Sequence, residues 1–173
     1  MGGPAQRGFA PSGGESMALF VSTFVNRIDR KGRVSVPATF RAALKGQEFE
    51  GIVAFPALGL PAMEGCGMDF MERLSAGIDS YDMFSQRRAE LAAVVFADAH
   101  QLPFDGEGRV VLPPALMEHC KIEAEVAFVG QGRTFQLWEP ATFRRHAEEV
   151  RRRALSEGAT LPVRPAAPGG NAP

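Results

Sequence analysis

The chain has 173 residues and a formal net charge of −1, with 45% hydrophobic and 23% charged residues. That length fits one domain or two small fused halves, and the composition can bury a core, which excludes disorder throughout. The net charge by itself neither favours nor excludes nucleic acid; the distribution of charge along the chain has to decide.

Residues 1–16 are rich in Gly, Pro and Ala without periodicity and read as a flexible extension. Leu19 to Ile28 predicts a first strand, Asp29–Gly32 a turn, Arg33 to Val36 a second strand, and Pro37 to Leu44 a short helix with Phe40 and Leu44 on one face. Gly51 to Phe55 predicts a third strand. Residues 56–68 are interrupted by Pro and Gly, and Met63 to Met68 lacks the apolar pattern that its counterpart in the second half shows. Asp69 is placed to cap a helix over Phe70 to Ala76, and Ser80 to Ala97 predicts another, with Phe84, Leu91, Val94 and Val95 on one face. The order then repeats: a strand through Leu102 and Phe104, a turn, Arg109 to Leu112, a short helix from Pro113, and strands near Glu125–Val129 and Thr134–Trp138. Pro140 opens a last helix with Phe143, Ala147, Val150 and Ala154 as its apolar stripe. The organisation expected is an extension over 1–16, two repeats over 17–97 and 98–155, and a disordered Pro/Gly/Ala-rich tail over 156–173.

The repeat has a motif at its centre. Residues 28–37 read Ile-Asp-Arg-Lys-Gly-Arg-Val-Ser-Val-Pro, and residues 104–113 read Phe-Asp-Gly-Glu-Gly-Arg-Val-Val-Leu-Pro. Both are an apolar residue followed by Asp-x-x-Gly-Arg-Val-x-(Val/Leu)-Pro. Asp suits the first position of a type I turn and accepts hydrogen bonds from the backbone two residues on, while Gly takes a left-handed fourth position. Each copy is expected to be a β-hairpin, with Asp29, Gly32, Asp105 and Gly108 shaping the tips and Pro ending the second strand. A lone half has a small core and open strand edges, which argues that the halves interleave.

The two copies differ in charge. Thr23 to Lys45 carries six basic residues (Arg27, Arg30, Lys31, Arg33, Arg41, Lys45) against Asp29, whereas His100 to Glu125 carries Arg109 and Lys121 against five carboxylates. The second tip keeps the turn with Gly106 and Glu107 in place of Arg30 and Lys31, so the turn itself does not need the charges. A tip with three cations favours a polyanion, and a two-stranded ribbon fits the major groove, where arginine reads guanine through paired hydrogen bonds. Arg33 is the foremost candidate, Arg30 and Lys31 stand beside it, and Arg27 and Arg41 extend the basic surface or merely flank the strands. Arg109, in an acidic setting, is expected to pair with a carboxylate. The basic helical clusters Arg87-Arg88, Arg144-Arg145 and Arg151 to Arg153 read as solvated faces.

No enzyme site is legible. His100, His119 and His146 are scattered, Gly65-Cys-Gly67 and Gly130-Gln-Gly132 lack a phosphate loop's following Lys-Ser/Thr, and no cofactor or metal is expected. Cys66 and Cys120 show no metal spacing and read as reduced cytosolic thiols. No apolar run reaches the roughly 20 residues of a membrane span, so no membrane association is expected.

The doubled Asp-x-x-Gly-Arg motif, one copy in each half, resembles the MraZ proteins of bacteria. The resemblance covers roughly residues 17–153, most specifically Asp29 to Pro37, Asp105 to Pro113 and Val129 to Glu139. It implies an α+β protein with an AbrB-like, swapped-hairpin, double-ψ-type small β-barrel built from the two repeats, with connecting and C-terminal helices. It also implies a cytoplasmic, nucleoid-associated transcription regulator that binds double-stranded DNA at short direct repeats upstream of a division and cell-wall gene cluster, and that forms a ring-shaped homo-oligomer. The rival from another class is an AbrB-like antitoxin, a protein-interaction module that needs an amphipathic, partner-binding tail; residues 158–173 show none.

Overall fold

A computed structural model describes residues 19–161; the expectations for residues 1–16 and for the tail beyond 161 lie outside them. The first half runs β1 (Thr23–Arg27), β2 (Arg33–Ser35), α1 (Ala38–Ala43), β3 (Gly51–Pro56), β4 (Ala62–Cys66) and α2 (Met68–Asp79). After α3 (Gln86–Ala92), which ends in a π-helical turn over Ala93–Ala97, the order recurs. It continues as β5 (His100–Pro103), β6 (Arg109–Val111), α4 (Pro114–Cys120), β7 (Glu125–Gly130), β8 (Phe135–Trp138) and α5 (Pro140–Ser156).

The strands do not pair as two hairpins. Within the first motif the arms are joined by the Asp29 N–H to Arg33 C=O bond, by the Asp29 carboxylate's bonds to Arg33 and by a bridge between Ile28 and Val34. Beyond that, β1 pairs antiparallel with β7, β5 with β3, and β2 with β6, so each arm is completed by the other half. The result is an antiparallel six-stranded sheet of order β1-β7-β8-β4-β3-β5 and a separate ribbon of β2 and β6. The physical reason lies in side-chain alternation: Val34 and Val36, with Val110 and Leu112, face one shared core, and the ribbon that buries all four requires strands from both halves.

Phe40 of α1 is the hub of that core. It is 1% exposed, and its ring lies 5.1 Å from Phe20, 5.6 Å from Phe24, 5.2 Å from Phe135 and 6.3 Å from Phe128. The opposite face of the sheet carries α5 over Trp138 and Ala127, and α2 over Val53 and Cys66. Trp138 is fully buried, and its indole N–H donates to Gln136 at 2.9 Å. Both cysteines are buried and free, and burial pushes each thiol up to about 12. His119 Nε2 lies 3.1 Å from the Leu60 carbonyl oxygen.

Four local expectations need correction. Residues Ala62–Cys66 are a strand despite their weak pattern, because Gly65 makes room for the Phe135 ring that a Cβ would strike. Asp69 is not the N-cap of α2: Gly67 is, and the Met68 N–H is capped from 21 residues away by Gln47 Oε1 at 2.8 Å. The next helix begins at Gln86 rather than Ser80. Asp82 accepts from the N–H groups of Phe84 and Ser85 in a turn that halts the chain, and Ser85 Oγ then caps α3 by accepting from the Arg88 N–H. Phe84 and Val94 are therefore exposed rather than part of a buried stripe. In α5 only the first half of the expected stripe is used, since Val150 and Ala154 are exposed.

Candidate nucleic-acid interface

The two turns are geometric copies. Asp29 Oδ1 accepts from the N–H groups of Lys31 and Arg33, both at 2.9 Å, and Asp29 Oδ2 accepts from Arg33 Nε at 2.7 Å. Asp105 Oδ1 accepts from Glu107 and Arg109, both at 2.9 Å, and Asp105 Oδ2 accepts from Arg109 Nε at 2.8 Å. In each turn the glycine N–H donates to the aspartate C=O at 3.0 Å, and the glycine holds φ of +75° (Gly32) or +73° (Gly108). A Cβ is strained in that region, which is why the motif has glycine there. Asp29, Gly32, Asp105 and Gly108 stand at the hydrogen-bonded positions of these turns.

Donation by backbone and guanidinium N–H groups favours the charged carboxylate. Backbone donation from Arg109 and then its side chain hold Asp105 down at about 2, and Arg33's backbone N–H leads the lowering at Asp29. Arg109 is raised in turn, foremost by its hydrogen bond to Asp105. Because the folded-state value of Asp105 lies below the unfolded value, its contribution to stability is complete above about pH 4 and is lost as pH falls toward 2. Thermal melts between pH 6 and pH 2 are expected to show Asp105→Asn less stable than the parent at pH 6, with the gap closing across that window.

The β2–β6 register places these turns at opposite ends of a three-rung ribbon, with Arg33 opposite Val111, Val34 opposite Val110, and Ser35 opposite Arg109. Val34 and Val110 point inward, and the outer face carries Arg33, Ser35, Arg109 and Val111. Asn26 of β1 braces the ribbon, its Nδ2 donating to the Ser35 C=O at 2.7 Å. The role of Asn26 was not legible in the sequence, because Leu102 stands in its place in the second repeat and no doubled motif flags it.

The two arginines share one hook and differ in what surrounds it. Arg109 Nη2 is also ion-paired with Glu107. At the equivalent place beside Arg33 stands Lys31, and Arg33 has no partner but Asp29 among the described residues. Its terminal nitrogens remain open. Arg30 and Lys31 are exposed and make no ion pair among the described residues. Arg27, in β1, has a side chain 90% exposed and only a 3.5 Å contact to Glu125.

Arg41 lies elsewhere. Its Nε donates to the Val36 C=O at 3.2 Å, and its guanidinium packs on Gly108, so it sits against the second turn rather than extending the first. Of the arginines in the helical clusters, Arg88 pairs with Asp79 at 2.7 Å and Arg153 with Glu149 at 3.0 Å. Among the described residues no group of three or more His, Cys, Asp or Glu could hold a metal ion, and no helix is long and apolar enough to cross a membrane.

Known proteins resemble this chain over most of its length. The family described as "MraZ protein, putative antitoxin-like" matches residues 95–161. The chain is 43% identical over 146 residues to "Transcriptional regulator MraZ" of Rickettsia bellii (strain OSU 85-389), covering 84% of this chain and 97% of that one. It is 42% identical over 143 residues to the protein of the same name from Pelagibacter ubique (strain HTCC1062), covering 83% and 92%. A third such protein, from Rickettsia akari (strain Hartford), is 40% identical over 145 residues, covering 84% and 97%. Nearly the whole length of each relative is matched at an identity where fold and family are retained, and the chain belongs to the MraZ family.

Proposed function

We propose that the protein is a sequence-specific, DNA-binding transcriptional regulator whose first turn, at residues 29–33, enters the major groove. The observation that carries this reading is the contrast between two superposable turns, one cationic with an open guanidinium, the other with its arginine closed off by Asp105 and Glu107. Asp29 grips Arg33 by Nε, which fixes the guanidinium plane and leaves the two terminal nitrogens for the O6 and N7 of a guanine. Arg30 and Lys31 meet phosphates on either side of the groove, Arg27 extends that surface, and the β2–β6 ribbon supplies the rigid mount. The names of the relatives support a regulator, and the exchanged arms of the repeats support an AbrB-like swapped-hairpin barrel.

One turn offers few contacts, so affinity comes from several copies engaging at once. Short direct repeats upstream of the protein's own operon, in a division and cell-wall gene cluster, are the proposed target, and a ring-shaped homo-oligomer is the proposed assembly. Such a regulator works in the cytoplasm on the nucleoid. Fluorescence anisotropy with fragments of the upstream region carrying one repeat or several tests this. Affinity is expected to rise at least tenfold with each added repeat at native spacing and to fall steeply with salt; equal binding to a shuffled fragment overturns the reading.

A further inference from the structure

The exchange of arms gives each repeat's turn a lysine from the other repeat. Lys45 and Lys121 hold the same place in the repeat, each sixteen residues after its motif aspartate, where the short helix has ended. The Ile28 N–H donates to the Ala124 C=O at 2.8 Å, and the Phe104 N–H donates to the Glu50 C=O at 3.0 Å. Each bond ties the loop that leaves one short helix to the residue just before the other repeat's turn. Lys121, which in sequence lies among the carboxylates of the second half, therefore shares a cleft with Arg27 and Ile28 at the foot of the cationic turn. Lys45 shares one with Asp105 and Gly106 of the acidic turn.

The cleft at Lys121 has a volume of about 820 Å³, and Arg144 of α5 adds a third cation to it. The root of Lys121 is held: its N–H donates to the Glu118 C=O at 3.1 Å, and the Ile122 N–H donates to the Met117 C=O at 2.9 Å, closing α4. Its ammonium is exposed and makes no ion pair among the described residues. Three carboxylates share the cleft, and two of them are engaged. Glu139 caps α5, accepting from the N–H groups of Ala141 and Thr142 and from the Thr142 hydroxyl, and Glu125 lies 3.5 Å from Arg27. Glu123 is exposed and makes no ion pair among the described residues.

We infer that Lys121 meets a phosphate of the DNA backbone beside the first turn, so that the surface seating the duplex is built from both repeats. This rests on the reading of the first turn as the DNA contact and adds to it a residue from the other half. The cleft begins one residue before Asp29, within the width of a duplex seated on that turn, and a lysine is a point charge that suits phosphate rather than a base edge. Anisotropy on the multi-repeat fragment across a salt series compares wild type with Lys121→Gln, Lys45→Gln and Glu123→Gln. All three side chains are exposed, so circular dichroism melts are expected to match wild type. Lys121→Gln should lower the slope of log K against log salt by about 0.9 per engaged subunit, about eightfold in affinity at 0.1 M salt for each. Its preference for the native over a shuffled fragment should not change, because a phosphate contact carries no sequence information. Lys45→Gln should bind as wild type does, and Glu123→Gln, which removes a negative charge from the cleft, should bind more tightly. A wild-type slope for Lys121→Gln, an equal loss from Lys45→Gln, or no gain from Glu123→Gln overturns the inference. Arg33→Ala, measured alongside, separates the two claims. If it loses affinity while Lys121→Gln does not, the first turn stands without Lys121; if it binds as wild type does, the reading of the first turn falls and the inference with it.

Discussion

Converting the first turn into the second, by Arg30→Gly with Lys31→Glu, is expected to abolish most DNA affinity while leaving the fold unchanged. The structural half of that expectation has an internal precedent, since Asp105-Gly-Glu-Gly-Arg109 forms the same turn with hydrogen bonds of nearly the same lengths. The binding half follows from counterion release. Each phosphate neutralised on duplex DNA contributes about 0.9 to the slope of log K against log salt, so losing two contacts lowers the slope by about 1.8 per engaged subunit. Counterion release alone makes that roughly a sixtyfold loss at 0.1 M salt, and the carboxylate that Lys31→Glu introduces adds repulsion. Anisotropy titrations across a salt series read both quantities. Parallel slopes for variant and wild type would mean that Arg30 and Lys31 face solvent in the complex, and that another basic surface meets the backbone.

The largest stability effect is expected at Phe40. Four aromatic rings surround it within 6.3 Å, contributed by β7, β8, β1 and the segment before β1, so its truncation opens a cavity where both repeats meet. Phe40→Ala is expected to cost about 3–5 kcal/mol, a large part of the roughly 5–15 kcal/mol that holds a domain together. Leu58→Ala, at a side chain 83% exposed, should change stability by less than about 0.5 kcal/mol. Urea unfolding with a shared m-value distinguishes them. A small effect at Phe40 would mean that the halves fold separately rather than around one core.

What was legible in the sequence is what is local. The turns could be read because Asp29 and Gly32 satisfy each other's backbone within four residues, and the repetition at Asp105 and Gly108 confirmed the pattern from within the chain. The elements follow in the expected order for the same reason. Strand exchange was legible only as an argument about exposed edges, because the alternation of Val34 and Val36 is the same whether β2 pairs with its own arm or with β6. Long-range substitutions for local rules were not legible at all. Gln47 caps α2 from a loop 21 residues away, the Phe135 ring fills the space that Gly65 leaves, and Arg41 leaves the first turn to pack on Gly108. At the candidate interface the sequence distinguished the two arginines by the charge around them. It did not show that both grip their aspartates by Nε, which makes the terminal nitrogens of Arg33 the point of difference.

That point can be isolated with a matched pair of variants. Arg33→Ala and Arg109→Ala each remove one Nε hook of nearly equal length from turns of the same shape, so both should lower the melting temperature by a similar amount. DNA binding should separate them. Anisotropy on the multi-repeat fragment is expected to show Arg33→Ala weakened by the roughly 1–3 kcal/mol of a bidentate guanine contact, about 5- to 150-fold, with Arg109→Ala within about twofold of wild type. Equal losses from the two variants, or a loss at Arg109 alone, would contradict the assignment of DNA recognition to the first turn.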